Sequence, residues 1–257
     1  MEFLLVPGVA LLASALTLFS GFGLGTLLLP AMAVFFPMDL AVALTAAVHF
    51  VNNLFKLGLL GRHAHWPTLA RFGLPAVPAA LAGAWCLVRL QGLPPLGSWS
   101  LGGHVFSILP VKLAVAGLMA LFALAELAPW SRGPAFSPRW LPLGGVLSGF
   151  LGGLSGHQGA LRSAFLLRAG LTKEAFVATG VVAACLVDLT RLTLYGAHFA
   201  LDGLAANPGL LAAACVAAFA GAYWGRRVLG KVTLRFVQAL VAALLLLLSA
   251  ALGLGLV

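Results

Sequence analysis

Long apolar runs follow one another through the whole chain, and this pattern constrains the fold more than any other feature. Of 257 residues, 62% are hydrophobic and only 8% are charged, whereas a soluble domain is about 45–50% apolar and about 25% charged. A chain this apolar cannot present its surface to water, so its solvent must be lipid. No stretch is polar enough and long enough to form a separate soluble domain. The sequence therefore predicts one integral membrane domain over residues 1–257.

Glycine, proline and charged residues divide the chain into about ten apolar segments. The second, sixth and seventh segments fall short of the roughly 20 residues that an ordinary crossing needs. Short helices occur at membrane depth where irregular backbone is buried in protein or lines a cavity. The start of the chain lacks a basic region, so we expect its first segment to be a retained crossing and not a cleaved signal peptide. We predict an all-α fold of transmembrane or re-entrant helices over 4–20, 24–36, 40–60, 67–89, 105–128, 141–154, 158–170, 174–195, 208–229 and 233–256.

Basic residues are concentrated in alternate loops. In a soluble protein a net charge of +9 would suggest a nucleic-acid partner, but here the bases are scattered at segment ends and form no patch. Cytoplasmic loops of membrane proteins carry an excess of Lys and Arg. The odd-numbered loops are therefore predicted to be cytoplasmic, with both termini outside. Those loops hold Arg62 (with Arg71 close behind), Arg132, Arg139, Arg168, Lys173, Arg226, Arg227 and Lys231. The second and eighth loops hold Asp39 and Asp202, and the fourth has only Arg89 and Lys112, at its distant edges.

The two halves of the chain resemble each other. Ala41–Thr45 matches Ala175–Thr179, and Asn53-x-x-Lys56 matches Asp188-x-x-Arg191. Five such matches fall in the same order. We predict a first repeat over about 1–128 and a second over about 140–257, each with five segments. Because five is odd, the second copy is inverted in the membrane, which is a recurrent architecture of transporters.

A polar stripe marks the third segment. Its members recur at i, i+4, i+7, i+8 and i+11, which places them on one face of an otherwise apolar helix. Ionisable residues inside a membrane usually face the bundle interior or a water-filled path. Two other interpretations stay open: the stripe joins helices by hydrogen bonds, or its lysine reaches from the helix end to the membrane surface. The stripe consists of Thr45, His49, Asn52, Asn53 and Lys56.

A second polar group interrupts the short segments of the second half. Ser155-Gly156-His157-Gln158-Gly159 precedes a helix that contains Arg162. The backbone N–H groups and the dipole at a helix start favour an anion, and an arginine fork matches an oxyanion. The alternative is that Arg162 pairs with a carboxylate such as Asp188.

The eighth segment adds Thr179, Asp188 and Arg191. Asp188 and Arg191 are spaced i, i+3 and are expected to pair on one helix face. A second interpretation is that Asp188, His49 or His157 relays a proton that drives transport. The predicted substrate-binding residues are thus Thr45, His49, Asn52, Asn53, Lys56, His157, Gln158, Arg162, Thr179 and Arg191.

These motifs resemble those of the TauE/SafE family of sulfite exporters. The resembling segments are Gly21–Pro30 and Ala41–Thr45 in the first half, with Gly149–Gly156 and Lys173–Thr179 in the second. The resemblance covers nearly the whole chain. It implies a multi-pass permease of the bacterial inner membrane that passes sulfite, sulfoacetate or a related sulfur-containing anion. His157 and Gln158 interrupt a turn that is usually a run of glycines in this family, so we regard both as candidates for selectivity.

Two other functions remain open at this stage. A passive anion channel would have the same composition as a coupled carrier. Gly153-Leu154-Ser155-Gly156 also has the form of the serine motif of intramembrane proteases, with His198 as the partner of a dyad. Both pieces have plain counterparts in the first half, so we expect no enzyme. The three cysteines lack metal-binding spacing, and no cofactor or metal is expected.

Overall fold

A computed structural model describes residues 1–20, 24–127, 137–167, 169–228 and 234–256. Arg132, Arg168 and Lys231, three of the bases used to predict topology, lie outside the described residues, as do Gly21, Phe22 and Gly23 of the family motif.

The described chain is predominantly α-helical, as predicted. Short 3₁₀ turns at Gly61–His63 and Pro138–Trp140 precede α4 and α6, and a π-helical turn at Gly196–Ala200 follows α8. The helices are α1 Glu2–Ser20, α2 Leu24–Ala33, α3 Met38–Leu60, α4 Trp66–Gln91, α5 Pro110–Leu127, α6 Leu141–Ser155, α7 Gly159–Leu166, α8 Lys173–Tyr195, α9 Leu201–Ala206, α10 Pro208–Val228 and α11 Leu234–Gly253.

Three described helical stretches are long and apolar enough to cross a membrane. They are Met38–His63, Trp66–Gln91 and Lys173–Ala206. Five shorter apolar helices accompany them, within α1, α2, α5, α10 and α11. Many leucines on their outer faces are exposed, which is the surface expected of a protein whose solvent is lipid.

One β-hairpin corrects the predicted segment 105–128. Strand β1, Gly97–Leu101, pairs in antiparallel fashion with β2, His104–Ile108, and α5 begins only at Pro110. The two-residue turn consists of Gly102 and Gly103, whose φ angles are 60° and 83°. Both values suit the primed turns that close tight hairpins and that glycine adopts without strain. The Trp99 indole N–H donates to the carbonyl of Leu254 and fixes the hairpin over the end of α11.

Glycines bring α6 into backbone contact with α4. A Cβ atom at Gly145, Gly149 or Gly153 would collide with the backbone carbonyls of Phe72, Ala76 and Ala80 respectively. Small residues allow this close approach of helices in membranes. The contacts advance one turn at a time along both helices, so α4 and α6 run in the same direction.

Helix α8 also runs parallel to α4 and antiparallel to α3. The backbone N–H of His65, just before α4, donates to Thr179 Oγ1 at 2.9 Å. About two turns further along both helices, Gly73 of α4 lies against Leu186 of α8. His49 of α3 contacts Asp188, while the start of α3 lies near Gly203 beyond α8. Helices α3, α4, α6 and α8 therefore pack on one another, helix α2 is buried along nearly its whole length, and α1 packs on α10 and α5 on α11.

We predict that Gly149→Ala destabilises the protein by about 1–3 kcal/mol, because an extra methyl group there overlaps the backbone of Ala76. Thermal unfolding of the detergent-solubilised protein measures the effect. Gly117→Ala in α5 is the matched control, since nothing lies within 4 Å of its Cβ position and alanine is the better helix former. Equal melting temperatures for the two variants would contradict the close contact between α4 and α6.

Candidate functional site

The start of one helix meets a helix break in the middle of the molecule. Helix α6 ends at Ser155, Gly156 takes a left-handed conformation with φ 81°, and α7 begins at Gly159. Gly156 suits this turn because it has no Cβ atom to clash. A Cβ on Gly25, in the first turn of α2, would lie 3.6 Å from the Gly156 carbonyl oxygen and 3.6 Å from Cγ2 of Thr45. The start of α2 thus lies against the break between α6 and α7.

The carboxylate of Asp188 is the centre of the buried polar cluster. Its Oδ2 lies 2.6 Å from Nδ1 of His49 and 3.3 Å from Nδ2 of Asn53. Its Oδ1 accepts from Nε2 of Gln158 at 3.2 Å and from Nε of Arg191 at 3.1 Å. A carboxylate only accepts hydrogen bonds when ionised, so Nδ1 of His49 must carry the proton in this contact. Four donors from α3, α8 and the helix break therefore converge on one fully buried carboxylate.

Arg191 connects this carboxylate to the helix break. Its side chain is fully buried and its Nη2 lies 2.8 Å from Asp188 Oδ1, in the i, i+3 pair that the spacing predicts. Its Nη1 donates to the carbonyl of Gly152 at 3.4 Å. A Cβ atom at Gly156 would lie 2.6 Å from Nη1, so the guanidinium occupies the space that a side chain at position 156 would fill.

Within the part of the chain that the structure describes, several buried polar atoms around the cluster have no hydrogen-bond partner. Buried donors and acceptors are usually satisfied, and each exception needs a physical reason. A polar guest that supplies the missing partners is one such reason. These atoms are Thr45 Oγ1, Asn52 Nδ2, His157 Nε2, Gln158 Oε1 and Arg162 Nη1.

Arg162 forms no salt bridge with Asp188, which was the alternative raised by the sequence; within the described chain, the ion pairs of Asp188 are with His49 and Arg191. Its Nε lies 3.5 Å from the position of a Cβ on Gly180. It is near enough to Lys56 for the two positive charges to interact. Among the described residues neither Arg162 nor Lys56 forms an ion pair with a carboxylate, so both add positive charge beside the cluster.

The structure joins five of the predicted site residues directly. His49, Asn53, Gln158, Asp188 and Arg191 form the hydrogen-bonded cluster.

Three of the remaining predicted residues have a hydrogen-bond partner outside the cluster. Ser14 Oγ donates to Asn52 Oδ1 at 3.5 Å, and a ring nitrogen of His157 lies 3.0 Å from Ser155 Oγ. Thr179 is separate, because its hydroxyl accepts from the backbone of His65 at the start of α4. Lys56 is half-buried near one end of α3.

Sequence reasoning missed Tyr195, which is fully buried and donates its hydroxyl to the carbonyl of Gly153. It follows Asp188 by seven residues and Arg191 by four, a spacing that places all three on one face of α8. That spacing could have identified it. The bond satisfies a carbonyl near the end of α6, where no further helical turn can do so.

The Ser155 hydroxyl does not face His198. It donates to the carbonyl of Leu151 at 3.2 Å and contacts His157, whereas Nδ1 of His198 bonds to the carbonyl of Leu194. The proposed dyad therefore receives no support from the geometry. Among the described residues, no group of three or more His, Cys, Asp or Glu could hold a metal ion.

An apolar helical bundle with broken helices and an enclosed cluster of hydrogen-bond donors is the arrangement of a membrane transporter. The family model described as sulfite exporter TauE/SafE matches residues 6–252. The chain therefore belongs to the TauE/SafE family of sulfite exporters, in agreement with the resemblance found in its motifs. No curated protein gave a match to the sequence.

We predict that Asp188→Asn destabilises the protein by about 3–5 kcal/mol, because it leaves the buried Arg191 without its counter-ion. Asp202→Asn, at an exposed carboxylate in α9, is the control and is expected to change the stability little. Thermal unfolding in one detergent compares the two variants. Similar melting temperatures for both would show that the Asp188 cluster contributes nothing to the fold.

Proposed function

We propose that this protein carries sulfite, or a related small sulfur-containing anion such as sulfoacetate, across the bacterial inner membrane as a carrier and not as an enzyme. One observation supports this most: the buried carboxylate of Asp188 is surrounded by the side-chain donors that an oxyanion needs. The donors are His49, Asn53, Gln158 and Arg191.

The bonds to Asp188 support an oxyanion as the guest of this donor cluster. A carboxylate and a sulfite ion both present negative oxygens that accept several hydrogen bonds. Desolvating such an ion costs several kcal/mol unless charges and donors replace its water. The cluster already does this for one carboxylate, and Arg162 has a buried Nη1 without a partner close by. We propose that the cargo takes over part of this donor set.

The proposed binding residues are those predicted from the sequence. His49, Asn53, Gln158 and Arg191 would contact the anion after Asp188 yields them, and the other side chains would complete or shape the path. Those others are Thr45, Asn52, Lys56, His157, Arg162 and Thr179.

Packing between the two halves supports the proposal of two inverted repeats, about ten membrane segments in all. Gly83 of α4 lies against Phe150 of α6, and Gly221 of α10 lies against Leu11 of α1. Gly83-Ala84-Trp85 in the first half also matches Gly221-Ala222-Tyr223 in the second. Each repeat therefore packs its fourth predicted segment, α4 or α10, on the first helix of the other. Asn53 and Asp188 are also matched, and they contact each other, as residues on a two-fold axis do.

The proposed topology has its basic loops on one side. The His65–Thr179 contact brings the loop before α4 to the same end of the molecule as the start of α8. These are two of the loops predicted to be cytoplasmic. Cargo exchange would follow a rocking motion of one repeat against the other, which exposes the cluster to each side in turn.

A proton is a suitable coupling ion for this cluster. Protonation of Asp188 would remove the charge that holds Arg191 and His49, so that an entering anion could take its place. Entry of the anion and of the proton would then be linked, because each compensates for the charge of the other.

Arg162→Ala is predicted to lose anion binding while the protein still folds, because its guanidinium has no carboxylate partner to leave behind. Binding of sulfite to the purified protein is measured by calorimetry, with the melting temperature as the test of folding. Arg71→Ala, at an exposed arginine of α4, is the control and should bind as the parent does. Unchanged affinity in Arg162→Ala would remove Arg162 from the site.

Liposomes separate a coupled carrier from a passive channel. With the protein present, we expect a pH gradient to drive sulfite above its equilibrium distribution, and dissipation of the gradient to abolish the accumulation. Protein-free liposomes control for leakage of neutral sulfur dioxide. Sulfite that only equilibrates, at a rate indifferent to the gradient, would favour the channel and contradict proton coupling.

A further inference from the structure

A cleft lies at one end of the molecule, away from the Asp188 cluster. It has a volume of about 590 Å³. His198, in the π-helical turn after α8, faces the last turns of α4 across it. The other lining residues are Trp85, Cys86, Val88, Arg89, Leu90, Gly92 and Leu93.

The early end of α6 explains why this cleft exists. Helices α4, α6 and α8 run in the same direction, and α6 stays in contact with α4 as far as Gly83, which lies against Phe150 and Leu154. Helix α6 then ends at Ser155, whereas α4 continues to Gln91 and α8 into the π-helical turn. Helix α6 therefore does not reach the ends of α4 and α8, and the cleft lies where α6 would have continued.

The charge of the cleft is positive. Arg89 is exposed and its guanidinium lies over the Trp85 ring, 4.8 Å from the ring centre. His198 bonds to the Leu194 carbonyl through Nδ1, at 2.8 Å, which leaves its Nε2 for another partner. None of the residues that line the cleft is acidic. Since Nδ1 of His198 carries the hydrogen, Nε2 of the neutral ring is an acceptor, and an oxyanion entering the cleft would be bound by the guanidinium donors of Arg89.

The cleft is aligned with the cluster along α8. Arg191 precedes His198 by seven residues, which is about 10 Å along a helix. Arg191, Tyr195 and His198 follow one another along one side of that helix, with Tyr195 and Arg191 both bonded to the backbone of α6 near its end. The open end of the cleft and the Asp188 cluster thus lie at successive depths along one line.

We infer that this cleft is a second oxyanion site, at which Arg89 collects an anion on the side of the membrane where α4 and α8 end. The inference deepens the proposed function, because the cleft would be the vestibule of the Asp188 cluster. The same chemistry would also suit the phosphate of an anionic lipid, and the two sources differ in whether the anion comes from water or from the bilayer.

Cys86 provides a test that does not depend on transport. Its thiol is free, it is half-buried, and it lines the cleft three residues before Arg89. Iodoacetate is negatively charged and iodoacetamide is neutral. We expect Arg89 to raise the rate at which iodoacetate alkylates Cys86 relative to the rate for iodoacetamide. Peptide mass spectrometry distinguishes Cys86 from Cys185 and Cys215. The ratio of the two rates cancels any change in the reactivity of the thiol itself, because both reagents attack the same thiolate.

In Arg89→Gln the iodoacetate-to-iodoacetamide ratio should fall about threefold, as for unit charges roughly 6 Å apart in a water-filled cleft. Arg89→Lys should retain the ratio of the parent. Arg139→Gln is the matched control, because Arg139 is also an exposed arginine over a tryptophan, Trp140, but lies before α6. A ratio unchanged in Arg89→Gln, or changed equally in Arg139→Gln, would overturn the inference.

Protection of Cys86 from alkylation distinguishes the two sources of the anion. Sulfate, which does not react with either reagent, should slow alkylation of Cys86 in phosphatidylcholine liposomes if the site takes an anion from water. Slower alkylation only after phosphatidylglycerol is added would identify a lipid phosphate. Protection by neither would contradict an oxyanion site. If sulfite transport fails while the charge preference at Cys86 persists, the proposed cargo is wrong and the cleft site stands.

Discussion

The hydrogen bonds to the buried carboxylate of Asp188 are the interactions on which the rest of the interior depends. A carboxylate without water must find its full set of donors inside the protein. His49 and Asn53 come from α3, Gln158 from the helix break and Arg191 from α8 itself. These donors can meet only if α3 and α8 cross in opposite directions and α6 stops beside them. One charged group thus fixes the relative positions of both halves of the chain.

The glycines of α6 serve this arrangement in two ways. On one side, Gly149 and Gly153 let the backbone of α4 come close, so that α6 is held in place without large side chains. On the other side, a Cβ on Gly152 would lie 2.9 Å from Val187 and 3.0 Å from Gln158. Gly156 leaves the space that the Arg191 guanidinium occupies. The helix is therefore glycine-rich because it is crowded on both faces, once by backbone and once by the polar cluster.

The sequence predicted the helices well because glycine, proline and charge mark their ends in an apolar chain. It also predicted the face of α3 that carries His49 and Asn53, and the Asp188–Arg191 pair, since both follow from helical spacing. Spacing identifies a face and not the partner across from it, which is why it could not exclude a pair between Arg162 and Asp188. The sequence pattern does not predict the β-hairpin, because its strands are short. They lie across the boundary between a predicted loop and the predicted helix 105–128.

Asp188 also bears on how tightly the proposed site can hold its cargo. A buried group of cations without a counter-ion would be unstable when empty, because each bare charge has lost its hydration. With Asp188 present, the charge of Arg191 is compensated in the empty site. An arriving anion therefore gains only the difference between its own bonds and those it displaces. A carrier needs such moderate affinity, because the cargo must leave as readily as it enters. The carboxylate that stabilises the empty protein would therefore also keep the anion from being trapped.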